Sequence, residues 1–330
     1  MPSRRPHVTK VLAAALALAA PAAAPRAEPL DLSLVKLGAP SASVWTNLPG
    51  VTVSASDAAQ LAIDAKTRFA TLSIETALAF SSAVMQPAST TGVAGWDLAF
   101  EASYVGVHPG KIGTTNAGTA FTANGPWQTK GLVPHELFLS GFHVRKALPY
   151  SLEVGGRFVY LSQSNYGAVQ GEAKWAVVEG YQRWPDLAIR GAYTAVLGQR
   201  DWNLSVLEAD VLLSKRFGLN AVASVTPYLA VRWNRITASS EVLDFAPTTA
   251  ATPSPTQLSQ TQARFPELTP SVLRYTLGAR LAASTLSVAL EGTYFGATTI
   301  AGKATPADDE YADVKLARSM GVAGRFGWEF

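Results

Sequence analysis

The last eleven residues of the chain alternate strictly between two kinds of side chain. The alternate positions from 320 to 330 hold Met, Val, Gly, Phe, Trp and Phe, and the positions between them hold Gly, Ala, Arg, Gly and Glu. Successive side chains of a β-strand point to opposite faces, so the pattern predicts a strand with one apolar face that continues to Phe330. The terminal residues of a soluble sheet usually fray. We therefore expect the aromatic end of this strand to lie at a membrane interface.

This stretch resembles the C-terminal strand of bacterial outer-membrane β-barrels, which typically ends in Phe and has apolar residues at alternate positions. In that family the motif directs insertion, so the resemblance implies an assembly signal at Phe326, Trp328 and Phe330. It also implies the barrel-assembly machinery as a partner during biogenesis. Residues 186–233, with PDLAIRGAY, SKRFG and TPYLAVRW, are similar to passages of uncharacterised bacterial outer-membrane proteins. The expected location is the Gram-negative outer membrane, in contact with its lipid and lipopolysaccharide.

The N-terminus has the composition of a secretory signal. Three basic residues, Arg4, Arg5 and Lys10, precede the apolar run VLAAALALAAPAAA. A charged region followed by an apolar region of this length and by small residues is typical of a signal peptide, and it is too short to span a bilayer. Pro25 disfavours cleavage after Ala24. The sequence therefore predicts a signal peptide at residues 1–27.

Composition supports one exported barrel. The chain contains no cysteine, so a disulfide framework and a thiolate metal site are both excluded. Hydrophobic residues make up 48% of the sequence, yet after the signal they are distributed by alternation, without the run of about 18 apolar residues that a membrane helix needs. The formal net charge is +3 and the basic residues do not cluster, so we expect no nucleic-acid partner.

Ten segments alternate well enough to be strands of an antiparallel transmembrane β-barrel. They lie at 92–107, 134–148, 150–164, 169–183, 186–198, 202–216, 224–236, 271–282, 284–297 and 314–330. The long connections, 108–133, 237–270 and 298–313, all fall at the same end of the strands. Outer-membrane barrels have this asymmetry, with short periplasmic turns and long extracellular loops. In the segment 169–183, Glu179 shares the parity of two apolar residues, which predicts a bulge or a wrong boundary there.

The polar parity of these strands is expected to face the lumen, because unpaired charges are costly in an apolar environment. The charges predicted to line the lumen are Asp97, Glu101, Glu153, Arg157, Arg190, Glu208, Asp210, Arg232, Arg274, Arg280, Glu291 and Arg325, and Glu329 shares their parity. Two interpretations are open. The set forms either a salt-bridged interior that stabilises a small barrel or a charged path for a solute.

Residues 28–91 fit the strand pattern less well, so the predicted division of the chain is 1–27, 28–91 and 92–330. The stretch 69–80 alternates like a strand. The longer stretch 56–80 also has apolar residues at helical spacing, with Ser56 or Asp57 as a possible N-cap. Ten strands already satisfy the even number expected with both termini in the periplasm, whereas a strand at 69–80 would require twelve. We favour a helix, located in the lumen, at the periplasmic rim or on the inner leaflet.

The sequence predicts no enzyme, no cofactor and no metal site. His135 and His143 share the inward parity of one predicted strand but lie about 27 Å apart at the rise of a β-strand. His108 begins a long loop and matches no motif of the outer-membrane proteases or phospholipases, so a hydrolase would require acidic or hydroxyl partners for it. The sequence contains no phosphate-binding glycine loop and no nucleophile elbow.

Two functional hypotheses remain. The first is a narrow, gated or plugged channel for small solutes, in which inward-facing arginines favour anions and residues 28–91 limit the flow. The second is a non-conducting structural or surface-recognition barrel that acts through the loops 108–133 and 237–270. Fold alone does not separate them.

Overall fold

The computed structural model describes residues 28–81, 83–112, 125–129, 133–181, 183–219, 222–247, 260–304 and 306–330. The predicted signal peptide and parts of the two longest loops lie outside these residues. The signal peptide and its cleavage site therefore both stay predictions.

Ten antiparallel strands form a closed barrel. They are β1 Trp96–Gly106, β2 Glu136–Leu148, β3 Leu152–Leu161, β4 Gly167–Val178, β5 Asp186–Leu197, β6 Trp202–Ser214, β7 Ala223–Ser240, β8 Ser271–Ala283, β9 Leu286–Phe295 and β10 Ser319–Glu329. Each strand pairs with its neighbour in the chain, and β10 pairs with β1. Phe100 lies opposite Phe142 on one side and Phe326 on the other. The prediction of ten strands is confirmed, and the alternative of twelve is wrong.

The two ends of the barrel differ in the length of their connections. Residues 107–135, 241–270 and 296–318 connect strands at one end, and the connection 284–285 at the other end has only two residues. Because outer-membrane barrels carry their long loops outside the cell, we call the first end the outer end and the other the periplasmic end.

Several predicted strand boundaries require correction. The last barrel strand begins at Ser319, because Val314–Leu316 instead pairs with Thr298–Ile300 in a separate loop hairpin. Strand β7 continues to Ser240, beyond the predicted end at 236. The register of β4 against β5 shifts between Ala176 and Val178, which confirms the predicted bulge, and Glu179 lies beyond the strand.

The outward face of the barrel is apolar and exposed. It carries aromatic side chains such as Phe100, Tyr104, Phe158, Trp175 and Tyr193, each between 47% and 55% exposed. The opposite parity points into the barrel and is buried. This arrangement places the apolar surface in lipid and the polar parity in the lumen, as the sequence predicts.

The N-terminal segment is largely helical. It contains a short 3-10 helix at Leu34–Leu37, a short helix α1 at Ala42–Asn47 and a long helix α2 at Ala55–Phe80. The preference for a helix over a strand at 69–80 is therefore confirmed. The N-cap is Ser54, two residues before the predicted position, and its hydroxyl accepts a hydrogen bond from the Asp57 amide at 3.1 Å. With 26 residues, α2 is about 39 Å long.

The described chain begins at the outer end and passes down the lumen. The Leu30 amide donates to the carbonyl of Gln163, and the Ser41 hydroxyl donates to Asp308 at 3.0 Å, both partners being in outer loops. Helix α2 then enters the barrel, and residues 83–91 follow it to the periplasmic end, where β1 begins. The two ends of the barrel sheet, the start of β1 and the end of β10, lie side by side at the periplasmic end, whereas residue 28 lies at the outer end. Contacts with the outer loops hold this end of the segment there.

A labelling experiment tests this topology. Because the chain contains no cysteine, a single cysteine is an unambiguous label. We expect Thr46→Cys, at an exposed position of α1, to react on intact cells with a maleimide that cannot cross membranes. The matched control Arg183→Cys, in an exposed periplasmic turn, is expected to react only after the outer membrane is permeabilised. The reverse pattern would place the long loops in the periplasm.

Candidate functional site: the occupied lumen and the outer end

The barrel wall around the outer half of the lumen is mainly apolar, although only polar residues were predicted to face the interior. Here α2 buries Phe69, Leu72 and Ile74 against inward side chains of the barrel wall. The wall residues of this cluster include Leu137, Leu139, Val159, Leu161, Trp202, Leu204, Val206, Ile236, Ala238 and Val272. The Phe69 ring stacks on Phe265 with centroids 4.5 Å apart and meets the edge of Trp202 at 5.9 Å. The helix is therefore a packed core element of the outer half.

The middle and the periplasmic half of the lumen contain the charges. Asp186, at the start of β5, is buried but accepts a hydrogen bond from the Gly180 amide of the neighbouring turn at 3.0 Å. The other buried acidic residues on the described strands are Asp97, Glu101, Glu153, Glu172, Glu208, Asp210 and Glu291, and the buried basic residues that face them are Arg145, Arg157, Lys174, Arg190, Arg232, Arg274 and Arg325. Each group has seven members, so the formal charges of the two groups cancel. We call these fourteen residues the lumen charge network.

The network is cross-linked by short ion pairs. Asp210 lies between two guanidinium groups: the Arg190 Nε donates to it at 2.6 Å, and Arg232 also donates to it. Arg190 also contacts Glu172 at 2.7 Å. Buried charges are tolerated when they are paired and hydrogen-bonded. The arginines predicted to form a path for anions are instead bound to carboxylates of the wall or to the chain inside the barrel.

His143 extends the network. Its Nδ1 lies 2.8 Å from Glu101, and its Nε2 lies 3.0 Å from Glu172. Both ring nitrogens thus lie within hydrogen-bond distance of a carboxylate, and the ring bridges β1 and β4. His135, predicted to share this parity, precedes β2 and is exposed.

Residues 83–91 are bound to the network through their backbone. The amides of Val84 and Met85 donate to the two oxygens of Glu291 at 3.0 and 2.6 Å. Arg325 donates to the Met85 carbonyl at 3.2 Å, and Lys174 donates to the Ser89 carbonyl at 3.0 Å. We call this segment the strap. Glu291 and the basic side chains thus satisfy the polar backbone of a segment that has no regular secondary structure.

The predicted lumen residues fall into two groups. Eleven of the twelve belong to the lumen charge network. Arg280 lies at the periplasmic end, partly exposed, and forms an ion pair with Glu329. The sequence analysis missed Arg145, Glu172 and Lys174, although their parity on β2 and β4 could have revealed them. The predicted assembly residues Phe326, Trp328 and Phe330 are exposed at the periplasmic end of β10, and their role as a signal stays a prediction.

His108 has an acidic partner that the sequence could not show. Its ring Nδ1 lies 3.0 Å from Glu75 of α2, and the indole Nε1 of Trp127 donates to the same carboxylate at 2.5 Å. Burial raises the pKa of Glu75, and the hydrogen bonds from Trp127 and His108 oppose this shift. The contact joins α2 to the first outer loop. It orients an imidazole whose side chain is 42% exposed.

Neither a metal site nor a membrane-crossing helix is present in the described part of the chain. No group of three His, Cys, Asp or Glu side chains there has the arrangement that a metal ion requires. The helices of these residues are not both long and apolar enough to cross a bilayer.

Comparisons with known proteins find similarity only among solved structures. No family profile and no curated protein matches the chain. Ail, the attachment invasion locus protein of Yersinia pestis, is 10% identical, with a TM-score of 0.26 over 72% of this chain and 100% of that one. Neisserial surface protein A is 9% identical, with a TM-score of 0.27 over 71% of this chain and 97% of that one. The translocator domain of the autotransporter NalP from Neisseria meningitidis is 9% identical, with a TM-score of 0.35 over 72% of this chain and 88% of that one.

The family assignment rests on the geometry of the chain itself. The sheet closes without a free edge, its lipid-facing parity is apolar, and its charged parity is enclosed. All three long loops lie at the same end of the barrel, and aromatic side chains occupy the end of the last strand. Together these features define a membrane-spanning barrel of the bacterial outer membrane. The protein is thus a closed ten-stranded β-barrel of the type that spans the outer membrane of Gram-negative bacteria.

Proposed function

We propose that the protein is a non-conducting barrel that acts through its outer end, where the N-terminal segment and the long loops form a surface for recognition. The observation that carries this proposal is the occupied lumen. Helix α2 fills the outer half, and the strap passes through the charged half. An open channel would need both to leave.

Opening would be costly for two physical reasons. Removing α2 would expose the apolar inner wall to water, at about 25 cal/mol per Å² of uncovered apolar surface. Removing the strap would take the backbone partners from Glu291, Arg325 and Lys174. A gate that opens in normal use requires two states that differ by only a few kcal/mol. The burial of most of α2 from Leu61 to Phe80, and of residues 83–88, argues against such a balance.

The outer end has the features of a preformed surface. Residues 28–54 lie across the barrel mouth and are held to three different loops, through Gln163, Gln128 and Asp308. The Lys66 ammonium donates to the Ala307 carbonyl at 2.8 Å, which connects α2 to the same region. Binding residues are often found on loops positioned by a rigid scaffold. Here the filled barrel is that scaffold.

Single-channel recording in planar bilayers tests the proposal. We expect the refolded mature protein to be electrically silent at voltages where a porin reconstituted in the same bilayer conducts. A variant that lacks residues 28–91 and still folds gives the conductance of the barrel without α2 and the strap. Stepwise currents from the intact protein, selective for anions and reduced by Arg274→Ser, would contradict the proposal and favour the channel hypothesis.

A further inference from the structure

A cavity of about 310 Å³ lies at the outer end, between the N-terminal segment, the start of α2 and the neighbouring loops. Its polar lining consists of Arg68, Lys36 and Gln128, and its apolar lining includes Trp45, Leu61 and Phe245. No acidic side chain of the described residues lines it. The cavity therefore combines two positive charges with a mainly apolar wall.

Arg68 is the central residue of this cavity. It is only 4% exposed, and its Nε and Nη1 donate to the carbonyls of Ile112 and Leu37 at 3.0 and 2.5 Å. Within the described chain no carboxylate forms an ion pair with it. Burial lowers the pKa of the guanidinium, and Asp64, one turn earlier on α2, opposes this shift. A buried cation with only neutral carbonyl partners favours the arrival of an anion.

The space beside the guanidinium is kept open by Gly38. Its φ of +92° lies in the left-handed region that glycine adopts readily. A Cβ at this position would lie 2.9 Å from Cζ2 of Trp45 and 3.5 Å from Nη1 of Arg68. The indole itself is fixed, because its Nε1 donates to the Ala39 carbonyl at 2.9 Å. The aromatic wall and the cation thus border the same gap.

The second cation lies at the rim. The Lys36 ammonium donates to the Thr129 carbonyl at 3.1 Å and forms no ion pair among the described residues. An anion entering the cavity would meet this charge before it reaches the guanidinium. Arginine is well suited to the deeper position, since its planar fork matches both oxygens of a carboxylate.

We propose that this cavity binds a small organic anion, with a carboxylate at Arg68 and an apolar body against Trp45, Leu61 and Phe245. The volume is near the lower limit for ligand pockets, which restricts the body to about the size of one aromatic ring. The inference rests on the proposed function, because it names a ligand class for the same outer end. The carboxylate supplies the missing charge partner, and the ring replaces water against the apolar wall.

Calorimetric titration of the full mature protein in lipid nanodiscs tests this inference with three matched probes. Phenylacetate has the charge and the ring, phenylacetamide has the ring without the charge, and acetate has the charge without the ring. We expect phenylacetate to bind and the other two to bind at least about tenfold more weakly, since a hydrogen-bonded ion pair contributes a factor of this order.

Two variants locate the site. Arg68→Gln is expected to weaken phenylacetate binding by about tenfold or more. Because Arg68 also holds two backbone segments, Leu48→Trp provides an independent test: it fills the cavity, keeps both cations and should also abolish binding. The control Arg264→Gln removes an exposed arginine of an outer loop and should leave binding unchanged.

The inference would be overturned by no binding of phenylacetate at millimolar concentration, by equal binding of phenylacetamide, or by binding that survives both cavity variants. Tighter binding of inorganic phosphate than of phenylacetate would also overturn it, because the apolar wall would then have no role. A silent barrel without phenylacetate binding leaves the proposed function intact and rejects this inference. A conducting barrel that binds phenylacetate rejects the proposed function and leaves the ligand site intact.

Discussion

Replacing Phe69 by alanine is expected to release the outer half of α2 from the barrel. Phe69 is fully buried and lies between Phe265 and Trp202. Truncating a buried phenylalanine costs about 3–5 kcal/mol, through the lost apolar contact and the cavity left behind. Because the strands keep all their hydrogen bonds, the loss should fall on the docking of the helix. Hydrogen–deuterium exchange along α2 measures it, and we expect amide protection there to fall by two orders of magnitude or more, as about 3 kcal/mol implies.

The matched control is Phe158→Ala. This residue is also a phenylalanine, but it faces lipid and is 51% exposed. It contacts the bilayer instead of α2, so exchange along the helix should be unchanged. Equal loss of protection in both variants would mean that α2 responds to general destabilisation of the barrel, and the account of Phe69 as a specific anchor would fail.

Replacing Asp210 by alanine is expected to destabilise the barrel as a whole. The change leaves Arg190 and Arg232 buried with fewer carboxylates, because Asp210 accepts hydrogen bonds from both. Removing one partner of a buried ion pair costs about 3–5 kcal/mol. Glu208 lies 3.1 Å from Arg232 and compensates in part, which favours the lower value. Guanidinium-induced unfolding in lipid vesicles, followed by tryptophan fluorescence, measures the difference.

Glu310→Ala is the control for Asp210→Ala. It removes another paired carboxylate, but the partner of Glu310 is Lys303 in an exposed outer loop. Exposed ion pairs contribute little, so the unfolding midpoint should not change. If Asp210→Ala also leaves the midpoint unchanged, the lumen charges are hydrated in the native protein and do not form a cross-linked interior.

The barrel could be predicted from the sequence because one physical rule governs all ten strands. Lipid requires an apolar face with a period of two. This pattern allowed us to predict the number of strands and the end of the barrel at which the long loops lie. Boundaries were less certain where pairing decides them, as at Val314–Leu316, which alternates like the last strand but belongs to a hairpin. Periodicity cannot show where a strand changes its partner.

The lumen was predicted less completely, because its contents depend on contacts between distant parts of the chain. The inward positions near the outer end, such as Leu137, Leu139 and Val159, are apolar and were not recognised as the wall that receives a helix. Glu75 and His108 are 33 residues apart, and Arg68 gains its neutral partners from Leu37 and Ile112. Such groupings are set by the path of α2, which no local pattern encodes.

The position of the strap and α2 limits the order in which the molecule can assemble. Strand β1 is sealed by β10, so the cylinder stays open until β10 has paired with it. Residues 28–54 must be on the outer side when this seam closes. Afterwards these residues can return to the periplasmic end only if the β1–β10 hydrogen bonds break or if residues 28–54 pass through the filled lumen. The native topology is therefore protected by a kinetic barrier as well as by its contacts, and the finished protein should resist exchange of its N-terminal segment for as long as the seam holds.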